Sequence, residues 1–294
     1  MINEFSGVIP PIVTPFTHDG TKISEVNFRK IIRYILDNGC SGVFTSGSQG
    51  EFFSLTNKER IEALEIAVDE SAGKTPVLAG TATISTIESV KLSIEAEKKG
   101  AAGISVINPF FITLNEEEIY QYFATIAKSV NIPMFLYNNP ARTAAAIPLN
   151  VVKRLAEIDN IVGMKDSSGD LTYVNSIITS TDNFKIFCGR DTCIFSELSV
   201  GATGAVAATA NVAPRLVSSI VKEYKLGNLA KARQLQADLI PLRDSFSLGS
   251  FPVVVKEALQ LIGIDAGPAR LPVMPMSDEN RKKLKNILTT MNLI

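Results

Sequence analysis

Short apolar runs alternate with longer amphipathic runs along most of the chain. The short runs are bounded by Gly, Pro, Asn, Asp or Ser and read as strands buried on both faces. They fall at residues 42–45, 76–80, 103–107, 133–137, 160–165, 184–187 and 204–207, with a proline-broken extended segment at 6–16. The long runs repeat at helical spacing. Phe28, Ile31, Ile32, Ile35 and Leu36 mark the first, which starts at Ser24 and stops at Asp37-Asn38-Gly39. Capping boxes open the next helices at Thr56/Glu59, Ser85/Glu88 and Asn115/Glu118. Further helices are expected at 149–156, 170–178, 192–200 and 214–224.

Strict strand–helix alternation implies a parallel sheet. About eight such units in a row imply a closed (β/α)8 TIM barrel, an α/β fold, rather than an open doubly wound sheet. No G-x-G-x-x-G follows the first strand, which weakens a nucleotide-binding alternative. After residue 227 the pattern changes to helices without strands, at 229–245, 252–262 and 277–291. The expected division is a catalytic barrel over 1–226 and a C-terminal helical region, 227–294, packed on it.

Composition narrows the function. The 294 residues are 46% apolar and 20% charged, as in a globular protein with a large core. A formal net charge of -1 without charge blocks gives no footprint for nucleic acid. No apolar run is long enough to span a membrane, and Met1-Ile2-Asn3-Glu4-Phe5 lacks the pattern of a signal peptide. Cys40, Cys188 and Cys193 are too scattered for a disulfide framework or a zinc site, so a reducing cytoplasm fits. His18 is the only histidine and sits in a turn, which argues against a Ser-His-Asp triad and against HExxH metal chemistry. No metal and no cofactor are expected.

Barrels of this kind carry their chemistry at the carboxyl ends of the strands. Lys165 ends the sixth strand. On strict alternation Ile161, Gly163 and Lys165 share one face, with Gly163 leaving space below the lysine. Loss of hydration there favours the neutral amine, a nucleophile towards carbonyl carbon. A lysine at a strand end can also simply snorkel to water. Pro133, Phe135 and Tyr137 share a face of the fifth strand, so Tyr137 can meet Lys165 and carry protons. The iminium formed on such a lysine withdraws electrons, so a carbanion can form beside it without a cofactor. Gly47-Ser48-Gln49-Gly50 is either an anion site built from converging N–H groups or a plain turn. Arg142 is either a carboxylate clamp or a solvated loop residue.

Gly47-Ser48-Gln49-Gly50-Glu51, Tyr137-Asn138-Asn139-Pro140, Gly163-Met164-Lys165-Asp166, and Gly189 with Val206 stand in an order that resembles the dihydrodipicolinate synthase/N-acetylneuraminate lyase family. The resemblance spans nearly the whole chain. It implies a carbon–carbon lyase with a class I mechanism, in which Lys165 forms a Schiff base with pyruvate and Tyr137 transfers protons. It implies that Ser48 connects to that tyrosine, and that Ser48, Gln49 and Val206 surround the pyruvate carboxylate. Gly47 and Gly189 belong to the same motifs. It also implies a homotetramer made of dimers.

Three positions bear on the subfamily. Phe111 stands where synthases usually carry a tyrosine that completes a proton relay across the dimer. Ser48-Gln49 replaces a pair of threonines common in synthases. Arg142 matches the arginine that synthases use for the aldehyde's carboxylate. The form Gly47 to Phe52 resembles aldolases for 2-keto-3-deoxy sugar acids or for 4-hydroxy-2-oxoglutarate. The expectation is therefore an aldolase that cleaves or forms such an acid, 2-keto-3-deoxygluconate for example, with pyruvate and an aldehyde as the small-molecule partners. The alternative is a 4-hydroxy-tetrahydrodipicolinate synthase that condenses pyruvate with aspartate semialdehyde. A barrel that only binds a keto acid is the third reading.

Overall fold

A computed structural model of the chain describes residues 5–294, so Met1-Ile2-Asn3-Glu4 of the start discussed above lie outside the described residues. Eight parallel strands form one sheet in the order β1-β8-β7-β6-β5-β4-β3-β2. They are β1 (Gly7–Val8), β2 (Val43–Thr45), β3 (Val77–Gly80), β4 (Gly103–Ile107), β5 (Met134–Asn138), β6 (Ile161–Asp166), β7 (Lys185–Cys188) and β8 (Gly204–Ala205). The ring closes where the segment after β1 meets β2. There Pro11 bridges Phe44, Ile12 N–H donates to Phe44 O at 3.0 Å, and Phe44 N–H donates to Pro10 O at 2.9 Å. Pro10 and Pro11 have no N–H to give, which keeps this seam to isolated bonds rather than a full ladder.

Around the ring run α1 (Glu25–Asp37), α2 (Asn57–Ser71), α3 (Thr86–Lys98), α4 (Glu116–Ala127), the short α5 (Pro140–Thr143), α6 (Leu149–Ala156), α7 (Leu171–Ser180), α8 (Ile194–Ser199) and α9 (Pro214–Lys225). Then come α10 (Leu229–Asp244), α11 (Val253–Leu261) and α12 (Asp278–Thr290). The (β/α)8 barrel with C-terminal helices is thus the observed fold. The capping boxes at Thr56/Glu59 and Asn115/Glu118 form with both reciprocal bonds. At Ser85 the hydroxyl accepts from Glu88 N–H. No helix among the described residues is long and apolar enough to cross a membrane.

Two apolar layers result. The larger lies between strands and helices and takes one face of each strand, including Ile104, Val106, Met134, Leu136, Met164 and Ile186. The other faces fill the barrel interior with Phe5, Ile9, Phe44, Leu78, Phe135, Phe187 and Val206. Phe5 and Phe187 meet Phe135 edge to face, with centroids 5.0 and 5.6 Å away.

One expectation about β6 is corrected. The pairing with β5 slips between Met134 and Phe135, so Met134 faces Ile161 but Phe135 faces Gly163. That bulge breaks the alternation. Ile161 packs outside with the helices, whereas Val162 packs against the barrel interior. Nor does Gly163 leave open space. A Cβ there would lie 2.2 Å from the Lys185 carbonyl oxygen, so this glycine lets β7 approach.

Glu197 on α8 is buried beside Cys188, and burial pushes its carboxyl up from the ordinary 4.5 to about 8, against a lowering bond from Cys188. Between those values the unfolded chain releases a proton that the folded chain keeps. Stability therefore falls as pH rises through that window. Glu197→Gln is expected to flatten this dependence. Thermal unfolding should show the variant more stable than the parent at pH 8 and similar near pH 4.5. Parallel pH profiles for the two proteins would contradict the assignment.

Candidate active site

The carboxyl ends of the strands open into a cavity of about 460 Å³. Lys165 enters it from β6 and is 6% exposed. With the interior residues Phe5, Ile9, Phe135, Phe187 and Val206 it also borders a small space inside the barrel. Gly189, just past β7, leaves room for the Lys165 stem, since a Cβ there would stand 2.9 Å from Lys165 Cε and 2.2 Å from Ser167 Oγ. Register sets the next contact. Tyr137 on β5 pairs directly with Lys165, and Lys165 Nζ lies 4.1 Å from the centre of the tyrosine ring. Phe44 flanks the amine at 5.4 Å. No carboxylate is paired with Lys165 among the described residues.

The phenol of Tyr137 is the polar centre of the site. Asn139 Nδ2 donates to it at 2.8 Å, and Ser48 Oγ lies 3.5 Å away. Burial by itself pushes the phenol up. The charge of Lys165, the bonds from Ser48 and Asn139, and a bond from Lys165 together outweigh burial, so the phenol sits below its ordinary value of 10.0. A phenol so placed is positioned to give up or take a proton from a group bound beside it.

The loop after β2 forms another part of the wall. Ser48 and Gln49 line the cavity, and their backbone N–H groups donate to no protein acceptor among the described residues. Ser46 and Glu51 flank the loop with left-handed backbones, at φ 52° and 58°. The Gln49 side chain is fixed from the C-terminal region, its Nε2 donating to Pro252 O at 3.4 Å.

Below the site, Asp166 anchors the end of β6. It accepts from Asn138 Nδ2 at 2.6 Å and from Ser168 Oγ at 2.6 Å. Burial pushes its carboxyl up, with these bonds working in the opposite direction.

The structure thus brings Lys165, Tyr137, Ser48, Gln49, Val206, Gly189 and Arg142 to one cavity. Two expected members lie elsewhere. Gly47 borders a smaller space behind Tyr137 and Ser48, and a Cβ on it would touch the Phe44 ring at 3.0 Å. Phe111 does not reach the cavity of its own chain. Its backbone turns left-handed, at φ 78°, and its side chain is 94% exposed. Sequence reading also missed several lining residues. Asn139 stood inside a quoted motif, so its amide could have been picked out. Arg243, Phe246 and Phe251 come from the C-terminal region. No local pattern joins them to the barrel mouth.

Comparison with known proteins agrees with this geometry. The family model described as the dihydrodipicolinate synthetase family matches residues 4–291. A protein of Methanothrix thermoacetophila called 4-hydroxy-tetrahydrodipicolinate synthase is 40% identical over 290 residues, covering 98% of this chain and 97% of its own. A protein of the same name from Syntrophus aciditrophicus is 36% identical and covers 99% of both chains. Among solved structures, a dihydrodipicolinate synthase of Bacillus anthracis superimposes with a TM-score of 0.95 at 32% identity, covering 98% of each chain. A prophage protein of E. coli K12 from the same family, solved in complex with pyruvate, gives a TM-score of 0.95 at 33% identity over 99% of each chain. With nearly the whole chain matched and a lysine at the head of its barrel, the protein belongs to the dihydrodipicolinate synthetase family, the carbon–carbon lyases that act through a lysine Schiff base.

Proposed function

We propose that this chain joins pyruvate to aspartate semialdehyde as a 4-hydroxy-tetrahydrodipicolinate synthase, with Lys165 as the Schiff-base lysine. The carrying observation is the buried Lys165 amine, 4.1 Å from the ring of a tyrosine whose phenol is held below its ordinary value. The pyruvate carboxylate rests on the N–H groups of Ser48 and Gln49. The Lys165 amine attacks the keto carbon, and the carbonyl oxygen leaves as water. Tyr137 carries the protons for that step, with Ser48 and Asn139 holding its oxygen in place. The iminium then acidifies the methyl group. Loss of one of its protons gives the enamine, whose carbon adds to the aldehyde. The amino group that the aldehyde brought in then attacks the iminium carbon, closing a six-membered ring. The bond from that carbon to Lys165 breaks, and the proton lost by the attacking nitrogen passes to the departing lysine amine.

The choice of aldehyde departs from the sequence-based expectation of a 2-keto-3-deoxy sugar acid. The curated relatives at 36–40% identity carry the synthase name, which favours aspartate semialdehyde. Phe111 favours the aldolase reading, because a phenyl ring cannot relay a proton. The synthase reading answers it with Ser48 and Asn139 on the Tyr137 oxygen. The exposed Phe111 and Ile112 also support assembly of copies into the expected homotetramer through this loop.

Two assays test the choice on the purified chain. One follows condensation of pyruvate with aspartate semialdehyde. The other follows pyruvate release from 2-keto-3-deoxygluconate. The proposal expects the first kcat/KM to exceed the second by at least about 100-fold, on the order of the discrimination a charged contact supplies. The reverse ranking would return the chain to the sugar-acid aldolases.

A further inference from the structure

The C-terminal region supplies part of the cavity's wall. Arg243, in the last turn of α10, lines it together with Phe246 and Phe251. Arg142 and Arg190 line the same cavity from the barrel loops. These arginines differ from most others in the chain. Arg29, Arg33, Arg154, Arg270 and Arg281 each hold a carboxylate. Arg142, Arg190 and Arg243 hold no side-chain hydrogen bond or ion pair among the described residues.

Phenyl rings position two of them instead. The Arg142 guanidinium lies 5.0 Å from the Phe251 ring centre, and that of Arg243 lies 4.9 Å from Phe246. Contact with a ring orients a guanidinium while its N–H groups stay available. Among the described residues one acid, Asp191, lines the wall against these three arginines, and it accepts from Thr209 N–H at 2.7 Å. The outer cavity is therefore cationic, with N–H donors in excess. Such a site favours a substrate whose far end is an anion.

We propose that Arg243 is a second anion-binding arm, which works with Arg142 on the carboxylate of the incoming aldehyde and selects charged aldehydes over neutral ones. This rests on the function proposed above and assigns a substrate-binding role to the C-terminal helices. Pyruvate binds deeper, at Lys165 and the loop after β2, so Arg243 acts only on the second substrate.

A position at a helix C-terminus also suits a cation for structural reasons. The test therefore separates substrate binding from stability. Kinetics at saturating pyruvate are measured for the parent, Arg243→Gln and Arg243→Lys, with aspartate semialdehyde and with uncharged glyceraldehyde. Borohydride trapping of pyruvate and thermal unfolding are followed alongside. Arg243→Gln is expected to raise KM for aspartate semialdehyde about tenfold or more, the scale of a lost hydrogen bond to a charged group. Arg243→Lys should recover part of that. Glyceraldehyde turnover, pyruvate trapping and Tm should stay at the parent's values. An unchanged KM for aspartate semialdehyde, or an equal loss with both aldehydes, would overturn the role of Arg243 and leave the proposed function standing. A parent protein that traps no pyruvate would overturn both.

Discussion

Lys165→Ala is expected to lower turnover on the order of 10⁴-fold or more, the scale seen when a covalent nucleophile is removed. The fold should survive the change. Lys165 is buried over apolar rings with no carboxylate beside it, so its removal leaves no partner charge stranded. Thermal unfolding should give a Tm equal to or above that of the parent. Groups arranged for reaction commonly cost stability in this way. Lys165→Arg keeps the charge without a nucleophilic amine and should be equally inactive. An active Lys165→Ala protein would show that another group bonds the keto acid. A variant that loses activity only because it unfolds would leave the burial argument wrong.

Lys256→Met should have the largest effect on stability. Lys256 on α11 and Glu51 in the loop after β2 form an ion pair with side chains only 2% and 0% exposed. Lys256 also donates to Pro268 O at 2.7 Å, and Glu51 accepts from Arg270 N–H at 3.1 Å. The pair fixes the loop after β2 to α11. Burial pushes the Lys256 ammonium down to about 8, while Glu51 pulls it the other way. Removing one partner leaves a buried charge uncompensated, which costs about 3–5 kcal/mol. In a chain of this size that lowers Tm by roughly 10 °C. Glu51→Gln combined with Lys256→Met should recover most of the loss, because no charge is then left alone. A double-mutant cycle by thermal unfolding checks this. Additive losses would mean that the two groups are not coupled.

Much of this was legible in the sequence. The strands that enter the barrel are buried on both faces, so they read as plain apolar runs. Thr56/Glu59 and Asn115/Glu118 announce their helices through local chemistry. Lys165 and Tyr137 could be paired because parallel neighbours in a barrel place equivalent ends side by side. The failures share a different cause. The bulge at Val162 depends on where β5 sits, and the closeness at Gly163 on where β7 sits, and nothing within β6 encodes either. Four-residue α5 carries too little periodicity to detect. Glu51 with Lys256, and Arg142 with Phe251, are contacts between distant segments of the chain. Phe111 was read through a motif, but its left-handed backbone turns it away from its own cavity. Local patterns reveal elements and their ends. They do not reveal which distant side chains complete a cavity wall.

The central claim is that Lys165 bonds the keto carbon of pyruvate. Incubation with pyruvate and borohydride, followed by peptide mass spectrometry, tests it most directly. The account predicts a reduced pyruvate adduct on the peptide that contains Lys165, absent without pyruvate and absent in Lys165→Ala. An unmodified Lys165, or an adduct at another lysine, would contradict it.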